Sequence, residues 1–262
     1  MIPASPLKIG LIASGGRLPE LLREARPDMF VLGLEGSVDP KLADVILPVG
    51  KAGAIFAALR QAGCTHVGMA GLFLRPSFAG LRLDWTGFRV LLRLLPVWGG
   101  DASLLARVLA EVERAGFTVM GVPELRPDLL ATAGAYGKES PTDKERADID
   151  AGFAAAKALG RTERGQAVLV RDGEVRAKEG RGGTTALIRN APLPGGILVK
   201  AAMPGQDRRV DLPTIGLDTI DQAKRAGLRG IAVEAGAAIV MDRDAMAQAA
   251  DAAGIFVYGV AP

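Results

Sequence analysis

Two rhythms of apolar residues alternate along the first half of the chain. Short unbroken runs have the length of buried strands: "LKIGLIA" at 7–13, "FVLGL" at 30–34, "VILPV" at 45–49, "HVGMAG" at 66–71 and "FTVMGV" at 117–122. Between them, "AGAIFAALRQAG" at 52–63 and "LLARVLAEVERAG" at 104–116 space apolar residues three and four apart, as a helix with one buried face does. Strands alternating with helices predict a parallel sheet covered on both faces. The first run breaks at "SGGRLP", where Pro19 suits the first turn of a following helix.

The rhythm lapses at "TAGAYGKESPTD", 132–143, which carries little apolar content between glycines, a proline and hydroxyls. That lapse predicts a boundary. The expected organisation is an N-terminal Rossmann-like domain at 1–132, a linker at 133–142 and a C-terminal α/β domain at 143–262, with a cleft between the domains. In the second half a helix is expected over 144–160. Two strand-like runs, "QAVLV" and "EVRAK", flank Asp172-Gly173, a hairpin signal. "GILVKAA" at 196–202, "GIAVEA" at 230–235 and "IFVYGV" at 255–260 read as strands, with helices near 218–226 and over 243–254. One antiparallel hairpin among such units makes the second sheet mixed.

Composition narrows the function classes. Of 262 residues, 49% are hydrophobic and only 5% aromatic, so aliphatic side chains do most of the packing. A net charge of +3 without basic clusters interleaved with aromatics argues against nucleic acid, and leaves an acidic ligand or an anionic membrane surface as compatible partners. One cysteine, Cys64, precludes an intrachain disulfide and reads as a buried thiol in a reducing compartment. One histidine, His66, with no second histidine and no cysteine partner, argues against a zinc site. The start of the chain lacks the pattern of a secretory signal and no run of 18 apolar residues occurs, so the expectation is a cytoplasmic protein.

Candidate chemistry concentrates where glycine, proline and charge meet. "ASGGRLP" at 13–19 puts Gly15 and Gly16 between a strand and a helix, which suits either close approach to an anion or a tight turn. Arg75 in "AGLFLRP" follows another strand, where a phosphate clamp and a surface ion pair are both open readings. Asp101 suits the N-cap of the helix that follows it. Lys138 lies in the expected linker. "EGRGGTTALI" at 179–188 places Thr184 at an expected helix start. The densest charge is "KAAMPGQDRRVDLPTIG", 200–216, on backbone that Pro204, Gly205 and Pro213 keep irregular. Lys200, Arg208 and Arg209 suit phosphoryl oxygens there, while Asp207 and Asp211 suit Mg²⁺ or a water.

Taken in order, "GLIASGGRLPELL", "GDASLLARVLAEVERAGF", "GKESP", "GTTALI" and "RVDLPTIG" resemble the LpxI-type UDP-2,3-diacylglucosamine pyrophosphatases over nearly the whole chain. The resemblance implies two α/β domains with the active cleft between them. It implies Mg²⁺-dependent hydrolysis of UDP-2,3-diacylglucosamine to 2,3-diacylglucosamine 1-phosphate (lipid X) and UMP in lipid A synthesis, with water attacking the sugar-side phosphorus. The essential aspartate of the family falls on Asp211, to hold Mg²⁺ or orient the water. Gly15, Gly16, Arg75, Lys138, Thr184, Lys200, Gln206, Arg209 and Thr214 become the expected substrate-binding set. Two positions depart from the pattern: Thr185 stands where the family carries an aspartate, and Ser14 where it often carries a third glycine. Residues 76–98 are the expected lipid-facing or membrane-facing surface, for transient contact with the cytoplasmic face of the inner membrane. The alternatives are a Rossmann-like nucleotide-binding protein and a non-catalytic binder of nucleotide sugars or lipids.

Overall fold

The unbroken apolar runs become the strands of two sheets, most of them buried; "VILPV" gives instead a half-exposed edge strand, with Ile46 open to solvent. The structure, a computed structural model, describes residues 7–73, 81–97, 101–162, 164–205, 207–209 and 211–261. It divides into two units, Met1–Pro127 and Asp128–Pro262, each with its own sheet.

The first unit runs β1 (Ile9–Ala13), α1 (Leu18–Ala25), β2 (Phe30–Leu34), β3 (Val45–Leu47), α2 (Ala52–Gln61), β4 (His66–Ala70), α3 (Trp85–Leu94), α4 (Asp101–Arg114), β5 (Thr118–Met120) and α5 (Val122–Leu125). The sheet order is β3-β2-β1-β4-β5 and every pair is parallel. β1 is buried along its whole length, as expected of a central parallel strand. Cys64 is buried, and desolvation holds its thiol above the ordinary value. Helix α4 starts at Asp101 itself, so the residue expected as its cap is its first helical residue.

The strand order reverses between β1 and β4, and ligands of open α/β sheets bind beside the carboxyl ends at such a point. Here the two ends are laced together by backbone. Ser14 N–H donates to Ala70 O at 3.0 Å and Leu72 N–H to Gly15 O at 2.8 Å. The Ser14 hydroxyl donates to Leu72 O at 2.7 Å. Gly71 has φ +116°, and a Cβ there would lie 2.7 Å from the Ser14–Gly15 backbone, so only glycine fits.

The second unit runs β6 (Gly134–Ala135), α6 (Asp143–Gly160), β7 (Ala167–Arg171), β8 (Glu174–Lys178), α7 (Gly183–Asn190), β9 (Ile197–Lys200), β10 (Thr214–Ile215), α8 (Leu217–Arg225), β11 (Gly230–Glu234), β12 (Ile239–Val240), α9 (Arg243–Ala253) and β13 (Phe256–Val260). Its main sheet has the order β6-β13-β11-β9-β7-β8. β9, β11 and β13 are parallel, whereas β6, β7 and β8 pair antiparallel with their neighbours. The sheet is therefore mixed. The β7–β8 hairpin turns at Asp172-Gly173, both at positive φ, as a two-residue type I′ turn requires. Residues 133–142 contain β6, paired to β13, and lie within this unit.

Strand alternation splits the core into two layers. Val168, Val170, Ile197 and Val199 pack under α6 with Ile149 and Ala156. Leu169, Leu198, Ile231 and Val233 pack with Leu187, Ile188, Ile220 and Met246 of α7, α8 and α9. Helix α6 opens on a reciprocal cap: Thr142 N–H donates to Glu145 Oε2 at 2.7 Å, and Glu145 N–H to Thr142 Oγ1 at 3.3 Å.

Candidate functional site

Alternation along β9 decides where Lys200 goes. Leu198 faces the α7–α9 layer, so Lys200, two residues on, faces the same way at the carboxyl end of the strand. Its side chain is drawn into the interior at 6% exposure. The ammonium Nζ donates to the Thr214 carbonyl at 2.9 Å. Burial lowers its pKa below the ordinary lysine value, while the carboxylates of Glu179 and Asp211 act in the opposite sense. Lys200, Glu179 and Asp211 therefore share one electrostatic neighbourhood.

Glu179 is the member that the sequence reading missed. It is buried at 8% exposure just beyond β8. One carboxylate oxygen accepts from Gln166 N–H at 2.6 Å and Ala167 N–H at 3.1 Å. The other accepts from the Thr184 hydroxyl at 2.7 Å. Ala167 is also the register partner of Lys200, so β7 sets both charges across one strand. The side-chain oxygen of neighbouring Gln166 is buried without a hydrogen-bond partner. A strand ending "EVRAKE" alternates exposed and inward positions; that spacing was the available signal for burial near its end.

Thr184 is not the cap of its helix. The N-cap of α7 is Gly182, and Thr184 sits in the first turn with its hydroxyl committed to Glu179. Thr185, its neighbour, is exposed and lines a cavity of about 390 Å³ between α7 and α8 with Ile188, Asp218 and Asp221. None of that cavity's lining residues belongs to 200–216.

The loop beyond β9 spreads its charges over distinct tasks. Asp207 accepts from Arg209 through both oxygens, at 2.9 Å from Nε and 2.7 Å from Nη2. That guanidinium hydrogen bond, above all, holds the Asp207 carboxyl below its usual range. Arg208 is exposed and has no ion-pair partner among the described residues. Asp211 is half-buried; its N–H donates to Asp207 O at 3.3 Å, and buried Leu212 and Pro213 follow it. Thr214 enters β10, which pairs with β12, and its hydroxyl donates to Leu212 O at 3.1 Å.

Five expected residues thus fall in one region of the second unit: Thr184, Lys200, Arg209, Asp211 and Thr214. Lys138 does not join them. β6 runs antiparallel to β13, so the chain leaves it toward the amino ends of the parallel strands, where Lys138 N–H donates to Asp251 Oδ1 at 2.7 Å. Lys200 ends β9 at the opposite, carboxyl edge. Gly15 and Gly16 sit in the first unit at the strand-order reversal; a Cβ on Gly15 would meet Ser37 O at 2.8 Å, and Gly16 has φ +98°. Arg75 and Gln206 lie outside the described residues.

A metal cage is not what this region offers. Among the described residues no three His, Cys, Asp or Glu side chains converge as one. Glu179 is filled by its three donors and Asp207 by Arg209. Asp211 shares the electrostatic neighbourhood of buried Lys200.

Two family models account for the two units in order. The LpxI N-terminal domain matches residues 8–129 and the LpxI C-terminal domain matches residues 132–258. A curated relative from Caulobacter vibrioides, named UDP-2,3-diacylglucosamine pyrophosphatase LpxI, is 44% identical over 276 aligned positions, covering 97% of this chain and 98% of its own length. With both domains matched in order and a full-length relative at that identity, the chain belongs to the LpxI family.

Proposed function

We propose that this chain hydrolyses the phosphoanhydride of UDP-2,3-diacylglucosamine to 2,3-diacylglucosamine 1-phosphate and UMP, a step of lipid A biosynthesis, with Mg²⁺, as a cytoplasmic enzyme that touches the membrane surface. The observation that carries the reading is Asp211: a half-buried carboxylate on irregular backbone, beside a buried lysine, in a chain so similar to a protein of that name.

In this reading Asp211 orients a water toward the sugar-side phosphorus. The water oxygen bonds to that phosphorus, the anhydride bond to the UMP phosphate breaks, and the water's protons leave to solvent or to the product phosphates. Lys200 keeps the motif in place through the Thr214 carbonyl. Arg208, exposed on the loop, would meet a phosphoryl oxygen. Asp211 would hold the Mg²⁺, which when bound offsets the negative charge of the two phosphates.

Turnover in ¹⁸O-labelled water tests the reading. One labelled oxygen is expected in the sugar phosphate and none in UMP. Asp211→Asn should lower the rate roughly a thousandfold with an unchanged thermal midpoint. Wild-type rates in that variant would remove Asp211 from its role; absence of UMP release by the native chain would end the hydrolase reading.

A further inference from the structure

Helix α3 carries apolar residues on the wrong side for a core helix. Its buried positions are Gly87 and Leu94. Trp85, Phe88, Leu92 and the next-turn residue Leu95 follow spacings of three and four, so they form one stripe, and all are exposed: Trp85 at 73% and Leu92 at 51%. Trp85 and Phe88 stack at 5.9 Å. A stripe of this kind on a water-soluble helix marks a surface that something covers.

Beside the stripe lies a cationic pocket. Arg89 and Arg93, from the flank of α3, line a cavity of about 280 Å³ with Arg60 of α2 and Arg114 of α4. Glu111 is the one carboxylate among the lining residues, which leaves a surplus of three positive charges. Glu111 is buried and accepts from Arg93 at 2.7 Å and from Arg114. Arg60 donates to Ala115 O at 2.7 Å and lies over the Phe117 ring. Arg89 has no ion-pair partner among the described residues and is exposed.

We infer that α3 docks this protein on a bilayer containing anionic phospholipid, the stripe entering the headgroup boundary and the arginine pocket receiving lipid phosphates. Trp and Phe beside Leu, with arginines along one flank, have the chemistry of a helix lying in a membrane interface. The charge decides between occupants. A two-fold pairing of copies through this face would bring two cation-rich pockets together without a compensating anion, whereas a phosphate-bearing surface supplies one. The inference deepens the proposed function and rests on it in one respect only: a substrate with two acyl chains resides in a membrane.

Co-sedimentation of the full chain with vesicles of phosphatidylcholine alone, and of phosphatidylcholine mixed with phosphatidylglycerol, tests it. Binding is expected to the mixed vesicles and not to the neutral ones. Arg89→Glu should weaken that binding roughly tenfold or more, as should the Phe88→Gln, Leu92→Gln pair. Both sets replace exposed side chains, and both should keep the native circular dichroism and the turnover of micelle-dispersed substrate. Wild-type affinity in Arg89→Glu, no binding by the native chain, or a native dimer that Leu92→Gln dissociates would each overturn the docking surface. Vesicle binding by a chain without UMP release would instead sink the hydrolase reading and leave the docking surface standing.

Discussion

The two sheets end differently at their carboxyl edges. In the first unit the edge at β1 and β4 is made of backbone: Ser14 and Gly15 tie to Ala70 and Leu72 by short hydrogen bonds, Gly71 leaves them room, and no carboxylate takes part in the links described. In the second unit the edge at β9 is made of charge, with Lys200 and Glu179 both buried and Asp211 beside them. Close packing of backbone needs nothing but absent side chains and tolerates no added atom. A buried cluster of ions needs every partner and tolerates no missing one. The first edge should therefore fail when a methyl is added, and the second when a charge is taken away.

The largest effect is expected at Glu179. Glu179→Ala strands two backbone N–H groups and the Thr184 hydroxyl, and removes a compensating charge near Lys200. A loss of about 3–5 kcal/mol is expected, read by urea unfolding. Gly71→Ala comes next, at about 2–3 kcal/mol, because the new methyl meets the Ser14–Gly15 backbone at a φ that L residues avoid. Equal tolerance of the two changes would erase the contrast. Thr184→Val tests the charged edge more gently: one donor to Glu179 is lost and about 1–2 kcal/mol with it.

The smallest of the set lies away from both edges. Asp84 caps α3, accepting from Gly87 N–H at 2.6 Å and Ala54 N–H at 3.0 Å. Desolvation pushes its carboxyl up, yet these backbone donors win and hold it below the usual aspartate value. A carboxyl lowered on folding stabilises at pH above the usual aspartate value, and that contribution fades as pH falls from there through the folded value. Asp84→Ala should cost about 1 kcal/mol at neutral pH. The gap from the native chain should close under acid melts.

How much of this was legible from residues alone follows from range. The Asp172-Gly173 hairpin, the buried strands and the Pro19 helix start depend on neighbours a few positions away, so they could be read. β6 could not, because two residues gain their pairing from β13, over a hundred positions later. The site was legible as a loop and as a set of residue types, not as assignments. Lys200 and Arg209 read equally well as phosphate ligands; in the fold one holds a carbonyl and the other an aspartate, while Arg208 keeps its guanidinium exposed. Lys138 shares the residue type but sits at the other end of its sheet, a fact that strand direction alone decides.

The bond from Lys200 to the Thr214 carbonyl also fixes the mouth of the excursion between them. A segment pinned at both ends grows longer at little entropic cost, since closure scales only with the logarithm of length. Gly205, with φ +81° and open space around it, is the place where extra residues could enter without disturbing either anchor. The loop can thus lengthen at its tip while its stem stays clamped by a single ammonium.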